Sequence, residues 1–135
     1  MKANELMIGD WVGRVFDDKR IDYRQVDWIR TGEIGMRYQK VWAIGCIEPI
    51  PLTAEILEKD GWERDIDKEW EYNNSHILPH YCYQWEKQNV KIEMYAGLEG
   101  FTISLIIGRR FYAVHELQHA LRLYGLDELA DNFKV

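Results

Sequence analysis

The sequence predicts an α+β fold: a small N-terminal β lobe, curled or SH3-like, followed by an antiparallel β-meander covered by a C-terminal helix. Three observations carry this. Short apolar runs separated by polar turns fill the first fifty residues. From residue 67 onward apolar and polar side chains alternate with a period of two, and residues 113–124 return to helical spacing. The 135 residues suit one domain, 1–135, with sub-lobes at 1–50 (mostly β) and 51–135 (helix, meander, helix). A chain of this length buries roughly two thirds of the surface its unfolded form exposes, so no staple is required.

The elements follow in order. Met1 to Leu6 can form one helical turn, with Asn4 as a cap, before Gly9-Asp10 turns the chain. Strands are expected at Trp11–Phe16, Ile21–Ile29 and Met36–Ile44, separated by Asp17-Asp18-Lys19 and Thr31-Gly32. Three short strands with tight turns suggest a curled sheet or partial barrel. Pro49 and Pro51 hold an extended path, because each fixes its own φ and biases its predecessor away from helix, and this marks the seam of the molecule. Thr53 caps a short helix, Ala54–Lys59, that Gly61 stops.

The meander is expected from the alternation of Trp70 and Tyr72, then of Tyr81, Tyr83 and Trp85, then of Val90, Ile92 and Met94, then of Phe101 to Ile107. The loop Ala96 to Gly100 joins its last two strands. On the final helix Val114, Leu117, Leu121 and Tyr124 share one stripe, and Gly125 ends it. That projection turns His115, His119 and Arg122 away from the stripe, toward water or the N-terminal lobe.

Composition excludes several functions. The net charge is −6, uneven along the chain: residues 1–47 carry 8 basic and 7 acidic side chains, and the remainder is strongly acidic. Nucleic-acid binding by counterion release needs clustered Lys and Arg, and in the linear sequence Lys19-Arg20 and Arg109-Arg110 are only dipeptides. It is therefore disfavoured unless a basic patch is assembled in space. No apolar run approaches the roughly 20 residues of a membrane span, and no secretory signal is present, so a cytoplasmic location is expected. Cys46 and Cys82 fit no paired spacing and read as reduced, buried thiols. The six Trp read as core or cross-strand pairs.

One pentapeptide could carry chemistry. His115-Glu116-Leu117-Gln118-His119 places two imidazoles one helical turn apart, where they can share a Zn²⁺ while the glutamate polarises a bound water. The spacing arises by chance in about 1 chain in 100 of this composition. A catalytic zinc also needs a third protein ligand. The extended motif requires Gly at 122 and His at 125, where this chain has Arg122 and Gly125, and the only acids downstream are Asp127, Glu128 and Asp131. His76 and His80 are also four apart, but Pro79 breaks a continuous helical face between them. Glu69 and Glu71 lie side by side on a strand rather than across a cleft, as a glycosidase pair would.

Three segments resemble a family of small uncharacterised proteins of gut anaerobic bacteria, met in mobile-element or prophage-like settings. They are the opening Met1 to Val12, the central Ile47 to Trp62, and Val114 to Leu126, and the likeness spans essentially the whole chain. In that family the terminal segment resembles Val-His-x-Leu-Gln followed by His or Asn, with Gln sometimes at the place of Glu116. The resemblance thus implies that the helix serves packing rather than zinc chemistry, although this chain has the full motif.

The expected function is a non-enzymatic accessory or interaction module with a protein partner, itself unknown, or a second copy, with no catalytic, cofactor or metal residues. One alternative is a minimal zinc hydrolase with His115 and His119 as ligands and Glu116 as general base. A second is a weak nucleic-acid accessory using Arg109, Arg110 and the N-terminal lobe.

Overall fold

The computed structural model of the protein describes residues 1–38, 40–66, 80–85, 90–95, 101–103 and 111–135. The expected features at Trp70, Tyr72, Glu69, Glu71, His76, the loop at 96–100 and Arg109-Arg110 lie outside these residues. The chain folds as α+β in two compact units, Met1–Pro51 with Ala113–Phe133 and Val135, and Leu52–Tyr112 with Lys134.

The first unit is built on a four-stranded antiparallel sheet in chain order: β1 (Trp11–Val15), β2 (Ile21–Arg30), β3 (Glu33–Met36) and β4 (Lys40–Ala43). The sequence reading expected a single strand over 36–44. Instead the backbone at Tyr38 turns left-handed, at φ 66°, so the chain reverses there and two strands form. After a 3-10 turn at Ile44–Cys46 the chain returns to β1, where Gly13 and Glu48 exchange both backbone hydrogen bonds at 2.9 and 2.8 Å. That exchange closes the sheet into a small SH3-like barrel around Leu6, Val12, Val26, Ile34, Met36, Trp42 and Ile47. Cys46, read from sequence as buried, is exposed on the 3-10 turn. The opening turn is Ala3–Glu5, and Lys2 rather than Asn4 precedes it, with the Lys2 amide donating to Glu5 Oε2 at 3.0 Å.

The last helices also belong to this unit: α2 (Val114–Leu123) and α3 (Asp127–Asp131). On α2, Gln118, His119 and Arg122 stand on a helix that is buried nearly all round, and the start of β1 supplies their partners. Val114, Leu117 and Leu121 of the predicted stripe are fully buried, whereas Tyr124 is not. Gly125, at φ 75°, stops α2: its amide donates to Arg122 O at 3.0 Å and that of Leu126 to Leu121 O at 2.9 Å, satisfying carbonyls the helix end leaves open.

The second unit opens with α1 (Ala54–Asp60), capped by Thr53 Oγ1, which accepts from the Ile56 amide at 3.2 Å. A second antiparallel meander follows, β5 (Glu63–Arg64), β6 (His80–Trp85), β7 (Val90–Tyr95) and β8 (Phe101–Ile103). Its register aligns Tyr81 with Met94, and Met94 with Phe101; it likewise aligns Tyr83 with Ile92, and Ile92 with Ile103. Residues of the expected apolar set therefore stand opposite one another. Trp62 and Trp85 meet edge to face at 5.5 Å. Among the described residues no helix is long and apolar enough to cross a membrane.

Candidate functional site: a buried polar clasp at the start of β1

The segment Gly9-Asp10-Trp11 turns into β1, and its backbone groups and carboxylate need partners that the sheet only partly supplies. Gly9 N–H and Val26 N–H find them within the barrel, at 2.7 Å to Val26 O and 2.8 Å to Asp10 O. The rest come from α2, α3 and β2. Gln118, with no exposed surface, accepts from the Trp11 amide at 2.9 Å through Oε1 and donates through Nε2 to Gly9 O at 3.0 Å and Ala130 O at 2.8 Å. Gln25 Nε2 donates to Gly9 O at 3.2 Å and Asp131 O at 3.0 Å. Trp11 Nε1 donates to Phe133 O at 2.6 Å. A buried amide side chain that bonds three backbone groups is costly to remove, because the Trp11 amide is left desolvated and unpaired and the two carbonyls each lose a donor.

Asp10 is the charge at the centre. Its carboxylate has no exposed surface, and burying it alone would cost several kcal/mol. It is not alone. Oδ1 accepts from Arg122 Nη1 at 2.6 Å, and Oδ2 accepts from the Met7 amide and from His119 Nε2, both at 2.7 Å. A carboxylate only accepts, so His119 Nε2 is the donor. Arg122 also donates to Asp131 Oδ1, from Nη2 at 3.0 Å and Nε at 3.3 Å. Burial draws the Arg122 guanidinium down, but its hydrogen bonds to Asp10 and Asp131 outweigh that and hold it above its ordinary value. Gly9 makes the approach possible. A Cβ there would sit 2.9 Å from Arg122 Nη2 and 3.0 Å from Asp131 Oδ1, on a backbone already at φ 91°.

The pentapeptide residues fall into three places. His119 is in the clasp. His115 is 7 % exposed, beside His119 with ring centroids 5.7 Å apart, and its Nδ1 has no hydrogen-bond partner. Burial pushes its pKa below the ordinary 6.5, opposed by the negative field of Asp10, so the ring is neutral at pH 7. Glu116 reaches back to its own helix start, where Oε2 accepts from the Ala113 amide at 3.4 Å.

This arrangement does not present His119 Nε2 to a metal: that nitrogen donates to the Asp10 carboxylate, whose other oxygen is held by the Arg122 guanidinium. Among the described residues no three His, Cys, Asp or Glu side chains are grouped to hold a metal ion. The set does not fit a nucleophile-activating dyad either, because the charge that would orient and polarise His119 is already neutralised by Arg122.

Sequence reasoning found His115, Glu116, His119 and Arg122 but missed Asp10, searching for acids only downstream. Asp10 read as half of a turn, and it lies 109 residues from His119. The available signal was on the helix itself: a histidine and an arginine one turn apart, beside a stripe of Val114, Leu117 and Leu121, call for an anion. Against protein-family models, curated proteins and solved structures alike, the chain finds no match.

Proposed function

We propose that the protein is a non-enzymatic interaction module. The observation that carries this reading is that His119, Arg122 and Glu116 already have partners within the fold, His115 being held neutral by burial. Arg122 neutralises a buried carboxylate to which His119 also donates, and Glu116 accepts from the first turn of its own helix. Such a network fixes one arrangement of the β1 start against two helices and leaves a rigid barrel surface to present.

That surface supports the reading. Val15 pairs with Ile21 and Gly13 with Tyr23, so Val15, Ile21 and Tyr23 lie on the same side of the β1–β2 hairpin, and all three are substantially exposed. Contiguous exposed apolar side chains on a small barrel are a feature of contact surfaces. The family resemblance, with Gln accepted at the Glu116 place, is in keeping with a helix kept for packing.

Elemental analysis of protein purified without chelator and without a histidine tag tests the reading. Zinc well below one atom per chain is expected. A stoichiometry near one, lost on substituting His115 or His119, would overturn it in favour of the hydrolase.

A further inference from the structure

The β1–β2 and β3–β4 turns gather charge that the linear sequence disperses. In a four-stranded antiparallel meander these turns point the same way; the second is set back along β2 to the level of Gln25 and Trp11, and Lys40 reaching Asp22 and Arg24 lying over Tyr38 join the two. Here they bring together Arg14, Lys19, Arg20, Arg24, Arg37 and Lys40, six of the 17 Lys and Arg of a chain whose net charge is −6. The acids near them in sequence and register are Asp17, Asp18, Asp22 and Glu48, which pairs with Gly13. Asp22 pairs with Arg24 at 3.2 Å and Lys40 at 3.7 Å, and Asp18 with Arg20 at 3.8 Å, so cations remain in excess.

The cations are interleaved with aromatic rings. Arg14 and Arg20 each stack on Phe16 at 4.6 Å, Arg14 also reaches Trp42 at 6.0 Å, and Arg24 lies over Tyr38 at 5.9 Å. Tyr38 is the most exposed of the large hydrophobic side chains described, at 82 %. Independently, the only two non-glycine residues with positive φ among those described, Lys19 at 62° and Tyr38 at 66°, sit in these two turns. Glycine or asparagine would hold a left-handed turn at lower cost. Retaining a lysine and a tyrosine there, against local preference, is what a site that needs those side chains would show.

We propose that this end of the barrel binds single-stranded nucleic acid, with the arginines and lysines on successive phosphates and a base stacked on Tyr38. The proposal rests on the reading of the protein as an interaction module and names its partner class. The alternation of planar cation and ring matches a ligand that alternates phosphate and base. An acidic peptide would use the charges and leave the exposed ring without a role.

Fluorescence anisotropy of the full chain with a labelled oligothymidylate of about 20 nucleotides, at about 50 mM salt, tests this. Binding with a dissociation constant of about 1–100 μM is expected, with log K falling against log salt at a slope of about −2 to −4, as for three to five phosphates on a single strand. Arg20→Glu with Arg37→Glu, both on exposed positions, should weaken it at least tenfold. Tyr38→Gly is the discriminating variant: it relieves the left-handed turn, so the melting temperature should hold or rise while affinity drops at least fivefold. No anisotropy change, affinity indifferent to the charge reversals, or unchanged affinity in Tyr38→Gly would each overturn the proposal. Polyglutamate of equal charge binding as tightly as the oligonucleotide would overturn it in favour of an acidic protein partner. None of these failures touches the non-enzymatic reading, which stands or falls on zinc content.

Discussion

The two ends of β1 use the same residue types to opposite effect. At its start, Arg122 meets a carboxylate with no exposed surface at 2.6 Å. At its end, Arg20 faces Asp18 at 3.8 Å, with side chains 68 % and 64 % exposed. Coulomb attraction grows several-fold as water is excluded, but so does the penalty for a charge left unpaired. The clasp is therefore a place where loss of one partner is expensive, whereas an exposed pair contributes about 0–1 kcal/mol and its loss is barely felt. An end that costs little to alter is free to be shaped by a ligand; an end that costs much is shaped by folding.

That contrast is broken most directly at Asp10. Asp10→Ala strands Arg122, His119 and the Met7 amide, and a loss of about 3–5 kcal/mol in urea unfolding is expected. Arg122→Met strands the carboxylate and should cost a similar amount. The double variant should cost much less than the sum, because neither charge is then left facing an empty place. A loss below about 1 kcal/mol in Asp10→Ala would show that the clasp is not the centre of this unit.

The pentapeptide sharpens the comparison further, since packing and zinc chemistry rank its positions in opposite order. Gln118→Ala leaves the Trp11 amide without its acceptor and removes one donor each from Gly9 O and Ala130 O, and should cost about 1–3 kcal/mol. Glu116→Ala loses a helix-start contact at 3.4 Å, worth about 0.5–1 kcal/mol. A zinc hydrolase would reverse the ranking in any activity measurement, with Glu116 indispensable and Gln118 replaceable. At the exposed end, Arg20→Ala is expected to change stability by no more than about 0.5 kcal/mol.

How much of this was legible in the sequence follows from the range over which each feature is decided. Strand alternation and helix stops are local. Tyr81 to Trp85, Val90 to Met94, Thr53 and Gly125 thus announced their elements, and the α+β class followed. The break at Tyr38 was not legible, because nothing in Arg37-Tyr38 has the chemistry of a turn and the fold imposes the left-handed backbone. The placement of α2 was hidden for a different reason. Its apolar stripe would suit either sheet, and the choice rests on Gln118 and Arg122 finding Gly9 and Asp10, more than a hundred residues away. The basic end was hidden in the same way, since its six cations come from two turns and three strands. Arg109 and Arg110, adjacent in sequence, had drawn attention instead.

The smallest expected effect is the acid response of the whole chain, because its two units oppose each other. In the first, burial holds the His115 pKa below 6.5. Above 6.5 the ring is neutral in both states; below it the unfolded chain takes up a proton that the folded ring refuses, so stability falls with pH until the folded value is reached. In the second, Asp60 accepts from Trp62 Nε1 at 2.9 Å and from the Lys134 amide at 2.6 Å, yet burial still raises its pKa from 3.8 to about 6. Between those two values the folded carboxyl holds a proton that the unfolded one has released, so stability rises as pH falls. Below about pH 6 the two contributions run against each other. Substitution separates them. His115→Phe should leave stability at pH 7 unchanged or higher and make the chain more acid-tolerant below 6.5. Asp60→Asn removes this titration, at the loss of one of the two accepted hydrogen bonds, and should make the chain lose stability faster than the parent as pH falls from 6 toward 4. Urea midpoints at pH 7, 6 and 5 read both. Identical pH profiles for the two variants would mean that neither group titrates in the environment its burial implies.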